Sequence, residues 1–458
     1  MSNQFDEDIF HNVIKKLEKT VDYADIRAGE SINNSIVMKD SKIDNVDSGS
    51  NFSVGIRVLQ NGAWGFAYTT DINKVQQAAD KATLLANQLS SDVELSQTKA
   101  NEDYVKSNAK MQIEDLSIDD KIDLIKEADD AAKMDGIVST NISFSESQSS
   151  SILLSTDGTN IKSDNNRVIL SMNSVADNGQ VMQFGHESLG GVQGFELIEN
   201  ADLESFGRGI SEKALSLLDA KQAPSGDFPV IFDPELTGVF IHEALGHASE
   251  ADIILRNDSI LKDKLGQKIG SELITVVDDA TRKDGFGHFA YDVEGSNSNK
   301  NVLVEDGILK SVLSSRESAK KLGLESSGNA RSSIKNQPLV RMSNTYIKPG
   351  DSSFDELIED MHDGIYLKGS RGGQVDTGKG IFQFNAVEAY KIENGELSTH
   401  LRDVSLSGST LDILNNVVGV GSDFKLNVGF CGKGGQTVPV GDGGPHIKVS
   451  KATVGGAQ

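Results

Sequence analysis

Cysteine is all but missing from this chain, with Cys431 standing alone among 458 residues. No intramolecular disulfide can form, which excludes a small secreted scaffold held together by disulfides. Long apolar runs are missing as well. Nothing approaches the roughly 18 to 20 apolar residues of a membrane span, so no membrane partner is expected. Residues 1–20 carry acidic side chains where a signal peptide needs positive charge, and no apolar stretch follows them. A cytoplasmic protein is the expectation. Positive charge is scarce: 44 Lys and Arg against 68 Asp and Glu give a formal charge of -24 and a pI near 4.7. That balance argues against nucleic acid and anionic membrane surfaces as partners. Its plainest use is to keep the protein soluble. The length allows two or three domains and a large core.

Helical and strand patterns alternate along the chain. Ile9, Phe10, Val13, Ile14 and Leu17 recur at helical spacing, which predicts an opening amphipathic helix over residues 6–19. From residue 23 to about 70 short β-type runs such as 35–38, 52–58 and 64–68 are separated by glycine and polar turns, the pattern of an antiparallel meander. Helices are predicted over 72–89 and 118–134, the second with Ser117 as N-cap, and the polar stretch 90–108 reads as a surface connection. Strand-like runs return over 137–195, followed by a helix over 203–218. Ala223-Pro224-Ser225-Gly226-Asp227 is the best linker signal and sets the expected boundary. The expected fold class is α+β in two domains. Residues 1–225 form an N-terminal α/β domain with a largely antiparallel sheet, and residues 226–458 a predominantly β domain with a helix inserted.

That helix carries the chemistry. His242-Glu243-Ala244-Leu245-Gly246-His247 follows the largely apolar segment Leu236-Thr237-Gly238-Val239-Phe240-Ile241. Two imidazoles bracketing a carboxylate are the ingredients of a catalytic zinc site, nitrogen ligands for the metal and a general base beside its water. The spacing differs from the common zincin, whose histidines at i and i+4 share one helix face. Residues at i and i+5 turn apart by about 140° at the regular helical pitch. One π-type turn, closing i to i+5, returns them to roughly one face. Gly246 makes a local departure from α geometry cheap. The sequence therefore predicts a helix begun near Pro234, with Asp233 as N-cap, that distorts or ends at Gly246 and His247. Two histidines leave zinc one protein ligand short of the usual catalytic three. Cys431, flanked by glycines in Gly429-Phe430-Cys431-Gly432-Lys433-Gly434-Gly435-Gln436, could complete a His/His/Cys set.

Each feature has a plainer alternative. The His-Glu run could be a buried helix with satisfied polar groups, and an isolated cysteine is more often an inert buried thiol. Glu250 and Asp252 read first as solvated helix-end acids, and second as acceptors for a ligand's other ring nitrogen. His288 and His446 lie in glycine-rich loops and receive no role. The glycine-rich run 432–444 lacks the Gly-Lys-Ser/Thr of a phosphate loop, so close packing around Cys431 explains it better. Gly372-Gly373, with strand-like flanks, reads as a turn or as an edge that pairs with an extended peptide.

The His-Glu run, the segment Lys368-Gly369-Ser370-Arg371-Gly372-Gly373-Gln374-Val375-Asp376 and the Cys431 region occur in an order that resembles the TldD/PmbA family. Val276-Val277-Asp278-Asp279 and Asp292-Val293-Glu294-Gly295 look like two further blocks of that family, and the resemblance runs from the N-terminal helix to the end. It implies the TldD branch, whose members are zinc metalloproteases, rather than the PmbA (TldE) branch, which lacks the motif and acts as its partner. Carried over, the roles are His242, His247 and Cys431 as Zn2+ ligands and Glu243 as catalytic base. The implied substrate is an unfolded or small peptide, hydrolysed inside a dimer. That dimer is a homodimer or a heterodimer with a PmbA/TldE-like subunit. Two other classes stay open: a non-catalytic peptide-binding or partner subunit with a structural zinc, and a zinc amidohydrolase acting on modified peptides. Glu243 argues against the first, because a structural site has no need of a carboxylate between its ligands. Val293 stands where many relatives have an acid, and that block is given no role.

Overall fold

The computed structural model describes residues 6–456. The first half is built on one sheet of seven strands, Tyr23–Lys39 (β1), Lys42–Gln60 (β2), Ala63–Thr69 (β3), Glu102–Val105 (β4), Ile137–Ser155 (β5), Asn160–Asp177 (β6) and Met182–Gly191 (β7). Their order is β3-β2-β1-β5-β6-β4 with β7 also on β6, and all pairs are antiparallel except β4 with β6. The short runs of the sequence thus belong to strands of up to 19 residues. Two separate cores sit along them. Helices Glu7–Leu17 (α1) and Val75–Gln88 (α2) cover Ile26, Ala28, Val54, Ile56 and Val58. Further along the strands, Ile36, Met38, Phe144, Leu170 and Met172 are covered by Ile118–Ala132 (α3), Glu196–Glu199 (α4) and Leu203–Ser216 (α5). α3 opens with a capping box in which the Ser117 and Asp120 side chains each accept from the other's backbone N–H. The stretch 90–108 is more than a connection, because it contains β4. That strand is held by Tyr104 Oη donating to Asp164 at 2.5 Å and Tyr291 Oη donating to Asp103 at 2.7 Å. Edge pairing satisfies its backbone without an apolar pattern that hydropathy would register.

In the second half a ten-stranded and a six-stranded sheet enclose one core. Helix Pro234–Ile241 (α6) lies in that core, burying Leu236, Phe240 and Ile241, with Phe240 edge-on to Phe232, Phe382 and Phe384. The six-stranded sheet ends in the hairpin of Lys425–Lys433 and Gln436–Gly444, whose first strand is the outermost. The architecture is α+β, as its composition of elements requires.

Buried ion pairs join the halves. Arg57 on β2 bonds Asp25 at 2.6 Å and Glu294 at 3.0 Å, with all three side chains at most 5% exposed. Arg316 bonds Asp157 at 2.8 Å, and the Trp64 indole N–H donates to Glu317 at 2.9 Å. The Asp292–Gly295 block is therefore an anchor. Among the described residues no helix is long and apolar enough to cross a membrane.

Candidate metal centre

Asp233 caps α6 by accepting the Leu236 N–H at 2.8 Å, and Pro234 occupies the first turn, where its missing N–H costs nothing. After Ile241 the helix changes its hydrogen-bonding pattern. Residues His242–Gly246 form a π turn, closed by the His247 N–H donating to the His242 carbonyl, and a 3-10 turn over His247–Ser249 ends the element. The extra residue brings the two imidazoles to one side with ring centroids 5.4 Å apart. Gly246 keeps ordinary right-handed helical angles. What it supplies is space, since a Cβ there would lie 2.1 Å from Met342 Sδ.

The hairpin brings Cys431 over this turn. Cys431 is 5% exposed, faces inward beside Val438, and places Sγ 3.3 Å from His247 Nε2. Arg341 fixes the strand by donating to the Cys431 and Gln436 carbonyls. The ligand atoms of His242, His247 and Cys431 all lie within 4.8 Å of one another. Two ligands of a tetrahedral ion bound at 2.0 to 2.3 Å sit roughly 3.5 Å apart, so this set suits such an ion. Among the described residues the buried Nδ1 of His242 has no hydrogen-bond partner.

The charges agree with that use. Burial opposes ionisation of the Cys431 thiol, but hydrogen bonds from His242 and His247, and their charge, outweigh it and hold the thiol at about 5. Burial likewise opposes protonation of His247, yet the thiolate and Glu250 lift it to about 10. His242 is raised in the same way against its burial. Two nitrogens and a thiolate form a donor set for borderline-soft divalent ions.

Glu250 is no solvated helix-end acid. It is fully buried and sits 3.1 Å from His247 Nδ1, so it orients the ring from behind. Lys433 holds it in turn, donating to Glu250 at 2.8 Å, to Asp252 at 2.8 Å and to the Val340 carbonyl at 3.0 Å. Nothing in the Gly-Lys-Gly-Gly context of Lys433 announces this, because its partners are distant in sequence. Glu243 stands beside the centre, 32% exposed, with a carboxylate oxygen 4.0 Å from His247 Nε2. His288 and His446 lie elsewhere, bonded to the Ala280 carbonyl and to Asp423 and Tyr366. Gly373 begins the edge strand of the ten-stranded sheet, and a Cβ there would lie 2.0 Å from Phe384, so packing demands the glycine. The run 436–444 packs under α6, where a Cβ on Gly238 would lie 2.6 Å from the Gly443 nitrogen.

Three family models match the chain: PmbA/TldA metallopeptidase domain 1 at residues 24–86, the central domain at 112–218 and the C-terminal domain at 225–456. A Methanothermobacter thermautotrophicus protein named metalloprotease is 53% identical, the match covering 99% of this chain and 100% of that one. A Saccharolobus solfataricus protein named zinc metalloprotease TldD homolog is 34% identical over 97% of this chain and 99% of its own. The crystal structure of TldE from Thermococcus kodakarensis superposes with a TM-score of 0.79 at 22% identity, covering 98% of this chain and 100% of that one. With three domains matched in order and close relatives aligned end to end, the chain belongs to the PmbA/TldD metallopeptidase family.

Proposed function

We propose that this protein is a cytoplasmic zinc-dependent peptidase in which His242, His247 and Cys431 hold the metal and Glu243 is the catalytic base. The observation that carries the reading is the meeting of three ligand atoms within 4.8 Å, two from the π turn and its end, which also presents Glu243, and one from the hairpin strand. The name of the Saccharolobus solfataricus relative supports zinc as the ion.

Held by His242, His247 and Cys431, zinc would supply Lewis acidity to the scissile carbonyl and to an attacking water. Glu243 takes the proton from that water and returns it to the leaving amine. Glu250 accepts from His247 Nδ1, fixing the tautomer that turns Nε2 toward Cys431. Lys433 keeps Glu250 ionised and in place. The substrates are unfolded or small peptides. The working unit is a dimer, either of two copies or with a TldE-like chain, a partnering toward which the TldE likeness points.

The test is mass-spectrometric analysis of a pool of unstructured peptides incubated with the zinc-loaded protein, beside Glu243→Gln. Cleavage that disappears in the variant while zinc stays bound is the expected result. If neither protein cleaves with zinc in place, the peptidase reading gives way to a structural zinc in a peptide-binding subunit.

A further inference from the structure

A cavity lies on the other side of the Cys431 strand from the metal centre. It has a volume of about 610 Å³ and opens between the face of the N-terminal sheet and the hairpin. That volume is in the range of small-ligand sites, roughly 300 to 1,000 Å³. Strand alternation separates the two places: Cys431 points inward to His247, while its neighbour Phe430 points outward into this cavity and is 56% exposed. The Phe430 ring meets Phe286 edge to face at 5.4 Å, and Pro439, paired opposite Phe430, continues the apolar wall.

The polar element of the cavity is Arg167 on β6. Its Nε donates to the Phe286 carbonyl at 3.3 Å and Nη2 to the His288 carbonyl at 2.9 Å. Those two bonds fix the plane of the guanidinium while using only two of its five N–H groups. Among the described residues no carboxylate lies within ion-pair distance of it. The two acids that line the cavity are engaged elsewhere: Glu146 bonds Lys121 at 2.6 Å and Asn34 at 2.7 Å, and Asp47 accepts from Asn45 at 2.6 Å. A buried arginine, Arg331, lies nearby; it donates to the Met342 carbonyl at 2.7 Å and its guanidinium sits 5.1 Å over the Phe289 ring. Loss of solvent, with no compensating anion, pulls Arg167 down to about 10. A guanidinium held flat by carbonyls and facing an aromatic-walled cavity has the fork geometry that suits a carboxylate.

We propose that this cavity binds a carboxylate on the substrate peptide, received by the free edge of Arg167 and flanked by Phe430 and Phe286. Recognition of a carboxylate one edge strand away from the metal centre would select chain ends or acidic residues and set where the peptide lies relative to Glu243. The identity of the carboxylate's bearer rests on the peptidase reading; the site itself does not.

Three apolar pentapeptides with an N-terminal fluorophore test it: one with a free C-terminal carboxylate, one amidated, and one amidated with an internal glutamate. Their affinities for the zinc-loaded protein carrying Glu243→Gln, which keeps them intact, are read by fluorescence anisotropy. The free acid is expected to bind about tenfold more tightly than the amide, the size of one charge-assisted hydrogen-bonded contact, and Arg167→Gln is expected to erase the difference. Arg167→Lys, which keeps the charge without the fork, retains part of it should the Gln variant unfold. If the internal glutamate restores affinity, side-chain carboxylates are received; if it does not, the site reads chain ends. Equal binding of acid and amide by the parent protein, or a preference that survives Arg167→Gln in a folded protein, overturns the proposal. Cleavage of the same peptides by the protein with Glu243 intact is scored separately. Its absence alongside a carboxylate preference removes the peptidase reading and leaves the site.

Discussion

At the scale of the residue, the centre works through charges that balance inside the protein. The Cys431 thiol at about 5 and the His247 imidazole at about 10 mean that, without metal at neutral pH, the pair is a thiolate facing an imidazolium. A metal ligand must be a thiolate and a neutral imidazole. Cysteine already meets that condition at pH 7, and His247 does not. Binding of zinc is therefore expected to release at least about one proton, and affinity to rise about tenfold per pH unit between the two values, flattening above the higher one. Calorimetric titration of zinc in buffers of different ionisation enthalpy measures the proton count directly, and a count of zero would show that His247 enters the titration neutral. His242, Glu243, His247 and Cys431 could be picked from the sequence because each belongs to a residue type whose chemistry is specific and whose spacing restricts its use. Glu250 and Lys433 could not. Glu250 looks like any acid past a helix end, and Lys433 like any lysine in a glycine turn, until folding brings them together across 183 residues.

The element that matters most is the bent helix. A spacing of five between histidines is incompatible with a regular α-helix if both are to meet one ion, so a helix that distorts or ends at Gly246 and His247 is legible in the sequence, and the π turn is the form it takes. The role of Gly246 is not, since it depends on Met342, in a connection nearly 100 residues further along the chain, approaching to within 2.1 Å of where a Cβ would be. Gly246→Ala is expected to cost about 1 to 3 kcal/mol through overpacking and to push the turn off Met342, lowering retained zinc. Chemical denaturation together with zinc content after dialysis checks both parts; a stable variant with full zinc would mean that Met342 simply moves aside. The long strands show the reverse situation. β5 and β6 are rich in serine and asparagine between the two cores, at 145–151 and 163–166, so only the runs packed in the cores register as strands. The backbone pairing that extends them leaves no mark in hydropathy.

For the whole molecule, the decisive feature is the charged joint between the halves. Arg57 reaches Asp25 across 32 residues and Glu294 across 237, a relation no reading of spacing can reach. Arg57→Met removes the ion-pair partner of the buried Glu294 and leaves the buried Asp25 with only Arg27, at 3.7 Å, and is expected to destabilise the protein by about 3 to 5 kcal/mol. The only tryptophan of the chain reports it, because the Arg57 guanidinium lies 4.4 Å above the Trp64 ring. Urea titration followed by Trp64 emission should show an earlier transition. An unchanged midpoint would mean that the carboxylates take up protons at little cost.

The distance along the chain between His247 and Cys431 has a consequence in time. The 184 residues that separate them take roughly ten to forty seconds to synthesise at ordinary rates of translation. A growing polypeptide therefore carries its helix and its glutamate long before the thiol that closes the centre exists. On the proposed function, a chain that still lacks Cys431 lacks the third metal ligand and stays inert while it is being made.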